Sequence, residues 1–157
     1  MSFPRGDRLR AMSTSRFIFC NIPVSDLNRS KAFFEGLGFE FNETFTNDEA
    51  ACLVINDRAY VMLHTPGSFE RFTTRPVADP ATTNGAIIAV SADSREEVDE
   101  LGEKALSIGG TKARDPEDYG FMYQRSFHDP DGHLWEVAWM DPQAVAAGPP
   151  DMNEAGA

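Results

Sequence analysis

The chain has 157 residues, 41% hydrophobic and 25% charged, a length and composition for one globular domain or two small modules sharing a core. Twenty-five acidic side chains against fourteen basic ones leave a net charge of -11, which repels phosphate backbones and anionic headgroups and argues against nucleic acid and membrane surfaces as partners. The apolar stretches fall short of the ~20 residues that cross a bilayer, no leader is recognisable, and Cys20 and Cys52 form no CxxC pair, so a soluble cytoplasmic protein with core thiols is expected.

Residues 1–15 are polar and without periodicity, which predicts a disordered tail. A strand-like run, Phe17 to Val24, then leads through Ser25 and Asp26 into a helix whose apolar stripe is Leu27, Phe34 and Leu37 and whose end is Gly36-Leu37-Gly38. Three short strands follow, at Glu40 to Thr46, Ala50 to Ile55 and Ala59 to Thr65, separated by the turn-forming pairs Asn47-Asp48 and Asn56-Asp57. Residues 66–84 read as a linker, with Phe69 and Phe72 as anchors for a short helical turn. The pattern then repeats. Ala86 to Ala92 leads through Asp93 and Ser94 into a helix with Val98, Leu101, Ala105 and Ile108 on one stripe; Ser94 and Glu97 form a capping box, and Gly109-Gly110 is the stop. Its strands are Thr111 to Arg114, Met122 to His128 and Leu134 to Met140, broken by Pro116 to Gly120 and by Asp129-Pro130-Asp131-Gly132. Residues 142–157, rich in Ala, Gly and Pro, read as a second disordered tail. The order is βαβββ twice, in modules 16–65 and 85–141, an α+β chain.

Three segments carry a likeness to a known family: IPVSDLNRSKAFFEGLGFEF at 22–41, SADSREEVDELGEKALSIGG at 91–110 and FHDPDGHLWEV at 127–137. The last is the most specific, a DPDG turn followed by a strand with Glu four residues after the Gly. Together with the repeat, these segments make residues 16–141 resemble the vicinal oxygen chelate superfamily, which holds glyoxalase I, bleomycin- and fosfomycin-resistance proteins, extradiol dioxygenases and methylmalonyl-CoA epimerase. The resemblance implies two curved mixed sheets around a cavity. In metal-using members it also implies four ligands, His or Gln on the first strand of each module and Glu on the last, holding a divalent ion that binds vicinal oxygens of the substrate.

Carried onto this chain, the first-strand positions fall on Phe19 and Ile87, and the last-strand positions on Met62 and Glu136. Phe19 and Ile87 cannot ligate, Met62 offers only a soft thioether, and a slip of one residue would substitute Val61 or Leu63 without supplying a carboxylate. The usual metal site is therefore expected to be absent, and no other cofactor is implied.

Glu136 shares a strand face with Leu134 and Ala138. It is either a cavity carboxylate that binds a polar group or acts as a base, the one catalytic candidate, or an inherited acid neutralised by a neighbour. His64 shares a face with Met62 and is expected to be a solvent-facing strand end, the alternative being a place at the cavity mouth; His128 and His133 are expected in turns or at the surface. Phe17, Phe19 and Asn21 share one face of the first strand, and Ile87, Ala89 and Ser91 the matching face of its repeat, as a pocket wall would. Tyr119 to Arg125 form the densest aromatic and polar cluster, which adds Tyr123 and Arg125 as candidates for stacking.

The ligand-binding candidates are thus Phe19, Asn21, Met62, His64, Ile87, Tyr123, Arg125 and Glu136. The expected function is binding or sequestration of a small organic molecule by a glyoxalase/bleomycin-resistance-like homodimer without a metal. The alternative is a lyase or isomerase of the lactoylglutathione lyase type, with His64 and Glu136 in a rearranged metal site and Arg71, Arg75 or Arg125 receiving an anionic glutathione adduct.

Overall fold

Each module begins with the same device, a strand that stops at a polar residue whose side chain caps the next helix. In a computed structural model, which describes residues 16–148, β1 (Ile18–Pro23) ends just before Asp26, whose carboxylate accepts the Arg29 N–H at the start of α1 (Leu27–Gly36). The chain leaves α1 through Gly38 at φ +93°, a left-handed turn that a side chain would disfavour. It then forms β2 (Glu40–Phe41), β3 (Ala50–Val54) and β4 (Ala59–His64). The sheet order is β1-β4-β3-β2, with β1 parallel to β4 and the other pairs antiparallel.

After a short helix, α2 (Pro66–Glu70), and a strap of irregular chain, the second module repeats the design. Between β5 (Ile87–Ser91) and α3 (Arg95–Ser107), Ser94 accepts the Glu97 N–H, while the Glu97 carboxylate accepts the Asp93 N–H at 2.6 Å. Glu96 and Glu97 in the first turn and Lys104 in the last suit the helix dipole. There follow β6 (Thr111–Lys112), β7 (Glu117–Asp118), β8 (Met122–His128) and β9 (Leu134–Met140), in the order β5-β9-β8-β6 with β7 paired to β8. Both sheets are open and mixed, and the architecture is the expected α+β repeat.

Three local expectations differ from what forms. The run from Glu40 is strand only to Phe41, because the Asn42 side chain accepts the Thr44 N–H and starts a tight helical turn over Glu43–Phe45. The segment 116–120, read as a break, contains β7, which pairs Glu117 with Gln124. Pro142–Ala147 forms a further short helix, α4, capped by Asp141, where a tail was expected; residues 1–15 and 149–157, the rest of the expected tails, lie outside the described residues.

The modules share one core. Phe33 and Phe34 of α1 reach across to Phe127 on β8 and Trp135 on β9, with ring centroids 6.1 and 4.8 Å apart, and all four are buried. A second joint is polar. Asp131 of the DPDG turn accepts the Ser25 N–H and hydroxyl at 2.8 and 2.6 Å, and His133 donates from Nε2 to the Pro23 carbonyl at 2.6 Å, so His133 serves as a bracket between modules. Because side chains alternate along strands, the residues between these buried ones face away from the helices. Those faces are open, and they include Phe17, Phe19 and Ile87, all more than half exposed.

Candidate functional site

The open face of the first sheet forms a cup of about 480 Å³ lined by Phe17, Phe19, Asn21, Asn42, Phe45, Cys52, Tyr60 and Met62. Strand pairing builds it. Phe19 lies opposite Tyr60, Asn21 opposite Met62, and Cys52 opposite Met62 on the other side, so three strands present one face to the same hollow. Tyr60 is the floor of an aromatic stack, with Phe19 5.2 Å away at an interplanar angle of 15° and Phe17 6.4 Å away at 26°. Its hydroxyl donates to the Asp57 carbonyl, and the Arg58 guanidinium lies 5.7 Å from the Phe17 ring. Cys52 is a free thiol and sits in the cup wall; burial pushes its pKa up, which keeps it protonated at neutral pH.

At one end of the cup, Asn21 meets His64. The imidazole is buried, 6% exposed, which corrects the expectation of a solvent-facing strand end: α2 folds back over β4 and places Ser68 above the ring. His64 Nε2 lies 2.7 Å from Asn21 Oδ1 and Nδ1 lies 3.0 Å from Ser68 Oγ. Phe69 and Phe72 flank the ring at 6.1 and 5.7 Å. Burial, and then the positive charge of Arg71, lowers the pKa of His64.

The second sheet presents a different surface. Glu136 stands between Ala89 on β5 and Ser126 on β8, and Ile87 lies beside Leu134. Farther along this sheet, Glu117 accepts from Gln124 Nε2 and from the Tyr119 hydroxyl. Asn21 and Ala89 each precede their helix cap by five residues, and they pair with Met62 and Glu136 respectively, so Met62 and Glu136 are equivalent positions of the repeat.

The donor set does not fit the metal that the resemblance implies. Phe19 and Ile87 are hydrocarbon, Met62 is a thioether, and Glu136 alone supplies oxygen, whereas a divalent cation needs about three protein ligands. Among the described residues no group of three or more His, Cys, Asp or Glu side chains could hold a metal ion. His64 does not repair the set, since both its ring nitrogens are engaged within the first module and Glu136 stands on the other sheet.

Of the candidates, the structure brings Phe19, Asn21 and Met62 together in the cup and sets His64 behind Asn21. Ile87 and Glu136 lie on the open face of the other sheet. Tyr123 and Arg125 are placed elsewhere, because they alternate onto the side of β8 that packs against α3. Tyr123 donates to Asp99 at 2.7 Å, and Arg125 lies along Gly102, its guanidinium 3.3 Å from the same carboxylate. Sequence reasoning missed Tyr60, Cys52, Asn42 and Phe45 as lining. Tyr60 was readable by alternation from Met62, and Cys52 by folding the strands about Asn56-Asp57. Asn42 and Phe45 depend on a turn that no periodicity announces.

No helix among the described residues is long and apolar enough to cross a membrane. No curated protein sequence matches the chain. Solved structures similar to it include hypothetical protein SA1046 from S. aureus, 25% identical with a TM-score of 0.68 over 78% of this chain and 92% of that one. A glyoxalase-related enzyme from Fulvimarina pelagi is 23% identical, with a TM-score of 0.67 over 80% of this chain and 88% of that one. A lactoylglutathione lyase from Agrobacterium tumefaciens is 20% identical, with a TM-score of 0.60 over 80% and 93%. These last two show the fold alone. The family model of the Glyoxalase/Bleomycin resistance protein/Dioxygenase superfamily matches residues 16–137, nearly the whole of both modules, and the chain belongs to that superfamily.

Proposed function

We propose that this protein binds a small, flat, largely apolar organic molecule in the cup of its first sheet, without a metal, and that binding rather than turnover is its activity. The observation that carries this reading is the aromatic stack of Phe17, Phe19 and Tyr60 in a cup of about 480 Å³, within the range of small-molecule pockets. Among the described residues, nothing in that wall is poised for acid–base work. The Cys52 thiol is held protonated, the Tyr60 hydroxyl is tied to Asp57, and His64 stands behind Asn21 with both nitrogens engaged. A lyase acting on an anionic glutathione adduct would need free cations at the rim; of the three named for that role, Arg71 is paired with Glu49, Arg125 with Asp99 and Glu103, and Arg75 is not among the residues that line the cup. The exposed Ile18 and Ile87, which do not line the cup, support a homodimer, in which a second copy covers apolar surface.

Titration with the neutral fluorescent probe N-phenyl-1-naphthylamine tests the cup. Tyr60→Ala, which removes the floor of the stack, should weaken binding by about tenfold, from a lost aromatic contact of ~1.5 kcal/mol. Unchanged affinity would sink the reading, as would elemental analysis that finds one divalent metal per chain. Light scattering at micromolar concentration should give twice the 17.3 kDa chain mass.

A further inference from the structure

The polar atoms around the aromatic stack have their directions set by a chain of hydrogen bonds that begins at a group with only one possible role. The Phe19 carbonyl can only accept, so the Asn21 atom 3.2 Å from it is the amide nitrogen Nδ2. The amide oxygen then faces His64, which obliges Nε2 to carry the proton of that 2.7 Å bond. Nδ1 is left as an acceptor, and it takes the hydroxyl proton of Ser68 at 3.0 Å. Ser68 and His64 are 3% and 6% exposed, so water does not compete for either. The opposite amide orientation would set two acceptors, Oδ1 and the Phe19 carbonyl, against each other, a clash that no change of the His64 tautomer removes. The arrangement holds Asn21 in one orientation, with its second N–H unengaged among the described residues, on the wall of the cup.

The second amide of the wall has the same polarity. Asn42 Oδ1 is occupied by the Thr44 N–H at 3.0 Å, which leaves the Asn42 side-chain NH₂ as its open end. The Tyr60 hydroxyl gives its proton to the Asp57 carbonyl, and among the described residues no charged side chain lines the cup, the Arg58 guanidinium lying at its edge over the Phe17 ring. What the wall offers a guest is therefore flat aromatic surface and uncharged N–H donors. A carboxylate among these rings and amides would lose its hydration with the nearest described cation, Arg58, only at the edge of the wall, and an amine would find both amide oxygens engaged.

We propose that the cup selects planar aromatic molecules bearing an uncharged carbonyl oxygen, and that Asn21, held by His64, is the donor that reads that oxygen. This rests on the reading of the cup as the binding site and adds to it the class of ligand and the residue that discriminates. Asn21 touches the ligand. His64 acts through it, as a positioning residue.

The test is a titration of isotope-labelled protein, followed by NMR, with 2-acetonaphthone and with 2-ethylnaphthalene, a similar shape without the carbonyl. The ketone should bind about tenfold more tightly, the difference that one hydrogen bond makes, and should move an Asn21 side-chain N–H resonance that the hydrocarbon leaves in place. Asn21→Leu should remove the preference for the ketone over 2-ethylnaphthalene. His64→Phe, which takes away the donor that turns the amide, should reduce the preference; His64→Gln, whose own amide can donate to Asn21, should retain it. Equal affinities in the wild-type protein, or a preference that survives Asn21→Leu, would overturn the assignment of Asn21 while leaving the cup as a binding site. Binding of neither compound would overturn the cup and the inference together. If Asn21→Leu does not fold, the wild-type resonance decides alone: unmoved by the ketone, it refutes the proposal.

Discussion

His64 gives the protein a calculable response to acid. Its ring is buried and both nitrogens are occupied, so the folded state binds an extra proton less readily than the unfolded chain, whose imidazole titrates near the ordinary value of 6.5. Between the lowered folded pKa and 6.5 the unfolded state holds more protons. The stabilisation tied to His64 is therefore complete above 6.5 and is lost as pH falls below it. Melting curves of wild type and His64→Gln from pH 7.5 to 5.5 should converge or cross, with the wild type losing the larger share; parallel curves would show that His64 is as easily protonated folded as unfolded. Gly132 is constrained in another way. At φ +104°, with the Pro80 carbonyl oxygen only 2.5 Å from where a Cβ would sit, Gly132→Ala adds a steric clash to left-handed strain. A loss of at least ~2 kcal/mol in urea denaturation is expected.

At the scale of elements, what the sequence discloses depends on whether a signal is local. The caps of α1 and α3, the left-handed glycines after those helices and the period-two faces of β1, β4, β5 and β9 are all consequences of neighbours in the chain, and they were legible. The equivalence of Met62 and Glu136 is implied by the resemblance and fixed by strand pairing; counting alone does not reach it, since Phe19 and Ile87 lie 68 positions apart and Met62 and Glu136 lie 74. The short elements were not legible. The turn at Glu43–Phe45 and strand β7 each span two or three residues, too few for a period to show, and β7 is held by pairing with β8. For the same reason the cup could be only half read: its β-strand walls were visible through Phe17, Phe19, Asn21 and Met62, whereas Asn42 and Phe45 arrive through the turn. Tyr123 and Arg125 were assigned to a ligand because their chemistry suits one. Their side of β8 is decided by α3, where Gly102 leaves room for the guanidinium and Asp99 accepts from both. A similar competition hid His64: Phe69 and Phe72 announce a short helical turn, but not that it folds back and supplies Ser68.

Across the whole molecule, the modules are joined by apolar contact as much as by the strap between them. Phe34 is fully buried and packs on Trp135 from the other half of the chain. Phe34→Ala should cost about 3 to 5 kcal/mol, the range for emptying a core aromatic, and both sheets should still melt in one transition. Two separate transitions in calorimetry would show that the modules are independent units. The shared core also bears on the order in which the protein can be completed during synthesis. The covering rings for Phe33 and Phe34 lie on β8 and β9, and the bracket from His133 to Pro23 joins residues 110 positions apart. While the ribosome is still making the second module, the first is a sheet and a helix with an uncovered aromatic ridge, unable to finish burying it and exposed to association with other chains. The final strand is thus what converts a vulnerable nascent half into a closed one, and a stop of translation anywhere before Trp135 leaves Phe34 without its cover.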